Sequence, residues 1–426
     1  MSRLAEKAEQ LYIFAFPLIA TEATHYGADD KAGLEHFRTF PDDKNERIVK
    51  MNMDTLYSLA WTQLANTPYA VHIPKIEDRY YLFPIMDAYT NVVESIGTRT
   101  PEKAEGDYIL LYEDDPVPEG YENYQVIRLE NSMNSVLLRI ETRGKKDYDY
   151  INKIQDQFEF RPVYPEKVEP VPAPKKSPAR FLENVSPREF FTLFDKLAVV
   201  NPIRDAEILG FAKEFGIGEG TLDFDELSVD MKVALEEGAK TGFEKLNKGF
   251  FDVKDLIISN GWASKFKDIG TYGTNYLARA STAYHGWGAN IPEDSAYASI
   301  SSEMTGKALD PTKKYRIRFE KDGFPHASFF WSLTLYGSVS QYPVKNKLNR
   351  FAINTYDVND GLVELNEDGS LDIIVSKDEP TDPKEKKNWL PAPTDEPAYS
   401  LAIRIYCPDE FTLQGKWTAP VMTEIS

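Results

Sequence analysis

The spacing of apolar positions changes several times along this chain. Residues 3–25 carry apolar positions at helical spacing and predict a first helix that bends at Pro17. Between 70 and 143 the spacing falls toward two, which is typical of strands, and acidic or Pro/Gly turns separate the apolar runs. Helical spacing returns after Ser186, and from Lys313 the period is again close to two. The pattern predicts a β region, a helical region and a second β region.

Both β regions are expected to contain several short strands. In the first region these are 70–73, 80–83, 108–112 and 136–140. In the second region these are 314–319, 328–336, 362–365, 371–375 and 400–406. Asp368-Gly369 separates two of these runs and is a strong hairpin signal. Short strands at this spacing favour sandwiches or barrels, so we predict a mainly β fold with a helical insert (α+β), built from two β-sandwich domains joined by helices.

A proline-rich stretch precedes the helical region and predicts an extended linker. Its prolines are Pro162, Pro165, Pro170, Pro172, Pro174 and Pro178. Ser186, Pro187 and Glu189 then form a good helix start, because serine caps a helix and proline suits its first position. Further helices are predicted over 203–215, 226–247 and 271–283. The glycine-rich run 216–220 follows a helix instead of a strand, so we interpret it as a helix stop and not as a phosphate-binding loop.

The length of 426 residues suggests two domains with a helical region between them. The expected division is an N-terminal helix and loop at 1–45, a first β-sandwich domain at 46–162, a proline-rich linker and helical region at 163–300, and a second β-sandwich domain at 301–426.

The formal net charge of −19 bears on partners and location. Such a surface repels phosphate backbones and anionic lipids, so we expect no nucleic-acid partner and no membrane insertion. The apolar run 11–20 is too short to span a bilayer, and the mixed charges before it make a poor signal peptide. We expect a cytoplasmic location, or a periplasmic one if a signal peptide has been removed. The single cysteine, Cys407, implies no oxidising compartment.

Two groups of motifs stand out in the two β regions. The first group is 52–58 (Asn-Met-Asp-Thr-Leu-Tyr-Ser), 79–81 (Arg-Tyr-Tyr), 87–91 (Asp-Ala-Tyr-Thr-Asn) and 97–99 (Gly-Thr-Arg). The second group is 330–336, 349–351, 368–371, 388–393 and 404–406. The first group resembles the bacterial domain of unknown function 1254, and the second resembles its usual companion, domain 1214. The resemblance implies two jelly-roll-like β sandwiches with helices packed between them, and it implies no general activity.

Asp54 and its neighbours are the first candidate site. In an extended segment Asn52 and Asp54 share one face, whereas Tyr57 lies on the other. A carboxylate here suits an acid–base group or a ligand anchor. The alternative is structural, because aspartate before threonine also makes a good cap or Asx-turn.

A second cluster follows the strand at 80–86. Asp87, Tyr89 and Asn91 share one face if that strand continues, and Glu94 and Arg99 come soon after. Carboxylates in a cleft can act as general acids or bases, and arginine can clamp a substrate carboxylate. The alternative is a buried Asp–Arg pair that joins strands.

The high aromatic content, with 24 Tyr, 24 Phe and 6 Trp, has two interpretations. Aromatic residues fit strand cores, and they also line ligand pockets. Trp389 is expected to pack in the core or pin a loop, with a pocket lid as the alternative.

Several common catalytic and metal-binding motifs are absent from the sequence. The histidines show no pairing at metal-ligand spacing, and no phosphate loop, dinucleotide fingerprint or Gly-x-Ser-x-Gly elbow occurs. We therefore expect no metal and no cofactor.

The first functional hypothesis is a small-molecule enzyme, a hydrolase or a lyase, with a carboxylate-rich cleft between the two β domains. Its catalytic candidates are Asp54, Asp87, Glu94 and Tyr57. Its substrate-binding candidates are Asn52, Tyr89, Asn91, Arg99 and Trp389. The alternative is a non-catalytic small-molecule binding or interaction protein. We expect a homo-oligomer in either case.

Overall fold

The computed structural model describes residues 2–25, 33–41, 50–170, 178–249 and 256–425. The helices in these ranges are α1 (Arg3–His25), α2 (Tyr148–Gln155), α3 (Pro178–Asn184), α4 (Pro187–Ala198), α5 (Ala206–Glu214), α6 (Val229–Gly249), α7 (Tyr276–Gly286), α8 (Thr355–Asn359), α9 (Pro383–Lys387) and α10 (Glu410–Leu413). The predicted linker prolines Pro172 and Pro174 lie outside the described residues.

The strands come from both halves of the described chain. From the first half come β1 (Glu35–His36), β2 (Thr55–Trp61), β3 (Tyr69–Ile73), β4 (Tyr81–Met86), β5 (Val92–Gly97), β6 (Gly106–Tyr112), β7 (Gln125–Leu129), β8 (Ser135–Glu141) and β9 (Glu159–Pro162). From the second half come β10 (Ile257–Ser259), β11 (Trp262–Ser264), β12 (Ser295–Ile300), β13 (Lys314–Phe319), β14 (Trp331–Gly337), β15 (Ala352–Asn354), β16 (Leu371–Ser376), β17 (Trp389–Pro391), β18 (Tyr399–Tyr406) and β19 (Val421–Ile425).

The chain divides into two compact units that each draw on separate stretches of sequence. Unit 1 comprises Met1–Thr39, Leu56–Val253 and Gly270–Ala289, and unit 2 comprises Phe40–Thr55, Lys254–Ile269 and Asn290–Ser426. Both units contain β sheets, and the long helices belong to unit 1. The predicted fold class, mainly β with helices, is confirmed.

In unit 1, the described strands form sheets with the orders β1-β2-β8-β4-β5 and β7-β6-β3-β9. β2, β4 and β8 are buried along their whole length, so both faces of the first sheet are covered. The helical part of the unit is organised around α1, which is buried on most sides and contacts α3, α4, α5, α6 and α7. The predicted helix start at Ser186 is confirmed, because its Oγ accepts a hydrogen bond from the backbone N–H of Glu189.

The crossing of α1 and α6 depends on a glycine. A Cβ added at Gly238 would lie 2.6 Å from Cβ of Ala8 and 2.6 Å from the backbone nitrogen of Glu9. Because backbone atoms of a packed helix cannot move aside alone, we expect Gly238→Ala to lower the free energy of unfolding by about 2 kcal/mol, measured by chemical denaturation.

Gly210 in α5 provides the matched control for Gly238. A Cβ added there meets no atom within 4 Å, so alanine gains helix propensity without a clash. We expect Gly210→Ala to raise the free energy of unfolding by about 0.5–1 kcal/mol. Equal effects of the two substitutions would contradict the close approach of α1 and α6.

In unit 2, the described strands form sheets with the orders β10-β11-β12-β18-β14-β15 and β17-β16-β13-β19. Apolar side chains from both sheets, among them Leu333, Ile403, Ile317 and Ile373, form one core cluster. The predicted strands at 314–319, 371–375 and 400–406 are confirmed as β13, β16 and β18.

The hairpin predicted around Asp368-Gly369 is wrong in its first strand. A turn forms there, with the backbone N–H of Gly369 donating to the carbonyl of Asn366, but 362–365 is not a strand. Oδ1 of Asn388 accepts a hydrogen bond from the backbone N–H of Glu364 at 2.7 Å, and Nδ2 of Asn388 donates to the backbone carbonyl of Glu364 at 2.8 Å. A single side chain thus satisfies the backbone groups that a strand ladder would use.

No helix within the described ranges is long and apolar enough to cross a membrane.

Candidate active site

One face of the sheet formed by β12, β18 and β14 in unit 2 is polar and buried. Alternation along β18 directs Ile403 and Ile405 into the apolar core and leaves Arg404 and Tyr406 on the opposite face. Ser332 of β14 lies directly across from Arg404 in the register. Polar side chains from neighbouring strands therefore converge on one buried surface.

Asp54 is held on this polar face by two hydroxyl groups. Its Oδ2 accepts a hydrogen bond from Oγ of Ser332 at 2.5 Å and another from the hydroxyl of Tyr406 at 3.0 Å. Its Oδ1 is buried and has no hydrogen-bond partner among the described residues, and the whole residue is only 2% exposed. One carboxylate oxygen is therefore fixed, and the other keeps its lone pairs free.

Arg404 and Tyr336 attach the segment before Asp54 to the same face. Arg404 donates from Nη2 to the backbone oxygen of Lys50 at 2.8 Å and from Nη1 to Oγ1 of Thr334 at 3.2 Å. The hydroxyl of Tyr336 donates to the backbone oxygen of Met51 at 2.7 Å. These bonds fix the backbone that carries Asp54.

The surroundings of Asp54 on this polar face shift the pKa of its carboxyl group. Burial raises the pKa of Asp54, and the charge of Arg404 and the two hydroxyl bonds offset this only in part. Burial by itself would lower the pKa of Arg404, but Tyr336, other tyrosines and Asp54 outweigh it and hold that pKa above its ordinary value. Asp54 is thus a carboxyl group that titrates above the usual range beside a permanent cation.

Asn52 shapes the turn on which Asp54 lies. Its side-chain Oδ1 accepts from the backbone N–H of Asp54 at 2.9 Å and from the backbone N–H of Thr55 at 2.8 Å. The Asx-turn that the sequence suggested for Asp54 is therefore made by Asn52. This leaves the carboxylate of Asp54 available for other contacts.

Asp87, Tyr89 and Asn91 occupy a turn between β4 and β5, so the strand does not continue through them. Oδ1 of Asp87 accepts from the backbone N–H groups of Tyr89 at 2.9 Å and Asn91 at 2.8 Å, and Oδ2 accepts from Nδ2 of Asn91 at 2.8 Å. Thr90 has a φ of 69°, which a strand excludes. Burial raises the pKa of Asp87, although these hydrogen bonds and the charge of Arg279 act to lower it. Both carboxylate oxygens are engaged in closing the turn.

Tyr89 borders a buried arginine that the sequence did not suggest. Its hydroxyl donates to the backbone oxygen of Asn201 at 2.9 Å, and its ring centroid lies 5.2 Å from Cζ of Arg279. Phe14 and Tyr276 present their rings to the same guanidinium, each at 4.8 Å.

Three further candidates lie elsewhere in unit 1. Glu94 on β5 forms an ion pair with Lys103 at 2.9 Å. Arg99 is half-buried in the turn after β5. Tyr57 is buried on β2, and Cζ of Arg139 lies 5.3 Å from its ring centroid.

Trp389 is buried in β17 of unit 2. Its Nε1 donates to the backbone oxygen of Ser376 in β16 at 2.9 Å, and Nζ of Lys347 lies 5.2 Å from its ring centroid. These contacts are those of a residue that pins neighbouring strands together.

The structure brings some of the predicted residues together. Asn52 and Asp54 share one segment in unit 2, and Asp87, Tyr89 and Asn91 share one turn in unit 1. The catalytic and binding roles assigned to all nine candidates stay predictions. Sequence reasoning did not include Ser332, Tyr406, Arg404 and Arg279, which contact these candidates or their segments, among its candidates. Polar residues at alternate positions of β14 and β18 were the available signal, because both strands are otherwise strongly apolar.

Within the described residues, no group of three or more His, Cys, Asp or Glu side chains is arranged to hold a metal ion.

Comparisons with known proteins match one segment in each half of the chain to a family model. Residues 33–162 match the model of DUF1254 and residues 294–410 match that of DUF1214, each a protein family of unknown function. No curated protein matches the chain.

A solved structure of a bacterial protein shares the fold. The VPA0106 protein from Vibrio parahaemolyticus is 21% identical with a TM-score of 0.71, and the match covers 99% of this chain and 100% of that one. An uncharacterized protein from Burkholderia cenocepacia is 13% identical with a TM-score of 0.46, over 99% of this chain and 94% of that one. Because the two models match one after the other along the chain, this chain belongs to the two-domain family that pairs an N-terminal DUF1254 with a C-terminal DUF1214.

Proposed function

We propose that this protein is a small-molecule enzyme in which Asp54 is the general base, and that it catalyses a hydrolysis or an elimination. The observation that carries the proposal is the asymmetry of the Asp54 carboxylate. Oδ2 is held by Ser332 and Tyr406, whereas Oδ1 is buried without a hydrogen-bond partner among the described residues. A buried polar atom left without a partner costs free energy, and functional sites are where such costs concentrate.

The chemistry follows from this geometry. The two hydroxyl bonds fix the orientation of the carboxylate, so the lone pairs of Oδ1 point in a set direction. In a hydrolysis, Oδ1 takes a proton from water as the water oxygen attacks the substrate carbonyl carbon. The bond from that carbon to the leaving group then breaks, and the proton on Oδ1 passes to the departing oxygen. In an elimination, Oδ1 takes the proton from a substrate carbon, and the electron pair left behind expels the leaving group. The raised pKa of Asp54 suits either step, because proton transfer is most effective when the pKa of the base approaches the working pH.

The test is a substrate panel followed by a pH profile. The panel contains para-nitrophenyl esters, which report hydrolysis, and uronic-acid oligomers, which report elimination through the absorbance of the unsaturated product. Because the base must be ionised, kcat/KM should rise with pH through an apparent pKa above 3.8, the ordinary value for aspartate. A pH profile of kcat/KM with an apparent pKa at or below 3.8 would contradict the role of Asp54 as the base.

A non-catalytic small-molecule binding protein is the second candidate. The buried guanidinium of Arg279, enclosed by three aromatic rings in unit 1, favours it. Binding of panel compounds without any turnover would support this alternative over the enzyme.

A further inference from the structure

Arg279 is a buried arginine that uses little of its hydrogen-bonding capacity within the described part of the chain. It lies in the first turns of α7 and is only 4% exposed. A guanidinium has five N–H donors, and the hydrogen bond that the side chain makes runs from Nη2 to the backbone oxygen of Phe14 at 3.3 Å, which is long. Its Nε is buried without a partner in the described part of the chain. Donors left unpaired at this depth point to an acceptor that binds from outside the chain.

The acidic groups near Arg279 are committed to other partners. Both oxygens of Asp87 accept bonds from Tyr89 and Asn91 in the turn. Asp205 accepts a bond from the hydroxyl of Tyr276 at 2.6 Å and caps α5 through the backbone N–H of Ile208. Both carboxylates attract the charge of Arg279, but neither forms an ion pair with it among the described residues. Among the described residues, the fork of Nε and Nη is therefore left without a hydrogen-bonded carboxylate.

Three aromatic rings enclose the guanidinium and limit what can reach it. Phe14 and Tyr276 lie at 4.8 Å from Cζ, and Tyr89 lies at 5.2 Å. Phe14 also packs against each of the other two rings at 5.0 Å. The rings hold the planar fork in a fixed orientation, which is the arrangement that binds a planar carboxylate through two parallel hydrogen bonds.

We propose that Arg279, with Phe14, Tyr89 and Tyr276, forms a binding site in unit 1 for a small monocarboxylate with an apolar body. A monoanion fits better than phosphate, because the site supplies one positive charge and the Asp87 carboxylate, which interacts electrostatically with Arg279, repels a dianion more strongly than a monoanion. The rings provide apolar surface for the rest of the ligand. The inference concerns residues other than Asp54 and does not depend on its role.

The first test is calorimetric titration of the full chain with benzoate, acetate and inorganic phosphate. We expect benzoate to bind most tightly and phosphate least. Arg279→Lys keeps the charge but loses the fork, and it should weaken benzoate binding by at least about tenfold. Tighter binding of phosphate than of benzoate, no binding of either carboxylate, or unchanged binding by Arg279→Lys would each overturn the proposal.

Arg79 is the matched control. It too is a largely buried arginine of unit 1 that lies over a tyrosine ring, Tyr150, but it forms ion pairs with Asp78 at 2.9 Å and Asp147 at 3.1 Å. Arg79→Lys should leave benzoate binding unchanged, because both Nη groups of Arg79 are already paired with carboxylates.

A second measurement uses the unchanged protein, in case Arg279→Lys does not fold. Crystals soaked with para-bromobenzoate should show the anomalous signal of bromine near the rings of Phe14 and Tyr276, with the carboxylate on Arg279. Bromine signal only at other positions, or none, would overturn the proposal without reference to any variant.

Discussion

Asp54→Asn should lower kcat/KM by about 100-fold to 10,000-fold for every panel substrate that the unchanged protein turns over, which is the range that a positioned general base contributes. The amide oxygen can still accept the hydrogen bonds of Ser332 and Tyr406, so the segment stays in place. The amide cannot take a proton, so the chemical step is lost. Steady-state kinetics at the pH optimum measure the effect.

The same substitution should not lower stability at neutral pH. Because the folded-state pKa of Asp54 is raised, its contribution to stability is full below the unfolded value of 3.8 and is lost as the pH rises through the folded value. At a pH above the folded value the buried, ionised carboxylate destabilises the fold, and a neutral amide avoids this cost at any pH. The melting temperature of Asp54→Asn should equal or exceed that of the unchanged protein. A large fall in melting temperature together with unchanged turnover would show that Asp54 is structural.

Asp195 in α4 is the matched control for Asp54. It is buried to a similar degree, but backbone N–H groups occupy both of its carboxylate oxygens. Asp195→Asn should lower stability and leave kcat/KM within about twofold, since substitutions away from the site rarely change transition-state binding. Equal losses of turnover in both variants would point to unfolding as their common cause.

The sequence could predict Asp54 as a candidate but not the groups that define its chemistry. Ser332 and Tyr406 lie 278 and 352 residues further along the chain. Hydrophobic periodicity located their strands, because it depends on neighbours two residues apart. The polar side chains that meet are set by which strands pair and in which register. Local sequence patterns do not contain this information.

Failures of prediction arose where a side chain took over a backbone role. Asn388 bonds the backbone of Glu364 in place of a neighbouring strand, so the apolar run 362–365 forms no ladder. Asp87 closes a turn with its own carboxylate and ends the strand that alternation extends through it. Asparagine and aspartate compete with regular structure in this way, and their partners cannot be read from periodicity.

The glycine-rich run 216–220 is a third segment in which the sequence predicts the backbone but not its side-chain partner. The predicted helix stop is confirmed, because α5 ends at Glu214 and Gly216 has a φ of 70°. The backbone N–H groups of the run do surround an anion, but the anion is the side chain of Asp195. The position of the run after a helix was enough to exclude a phosphate loop. It did not show which carboxylate of the chain would bind the backbone N–H groups in place of a phosphate.

Asp195→Ala should therefore lower the free energy of unfolding by about 3 to 4 kcal/mol, because several backbone donors lose their acceptor at once. Oδ1 accepts from the backbone N–H groups of Gly218 at 2.7 Å, Glu219 at 3.1 Å and Gly220 at 3.0 Å, and Oδ2 accepts from that of Leu222 at 2.8 Å. Asp195→Asn keeps one acceptor oxygen for the first three donors and loses the fourth, so its cost should be only about 1 to 2 kcal/mol. Urea denaturation of the two variants measures this gradation. If both variants lose the same free energy, the bonds to Oδ1 do not stabilise the loop, and the run is held by its glycine conformations alone.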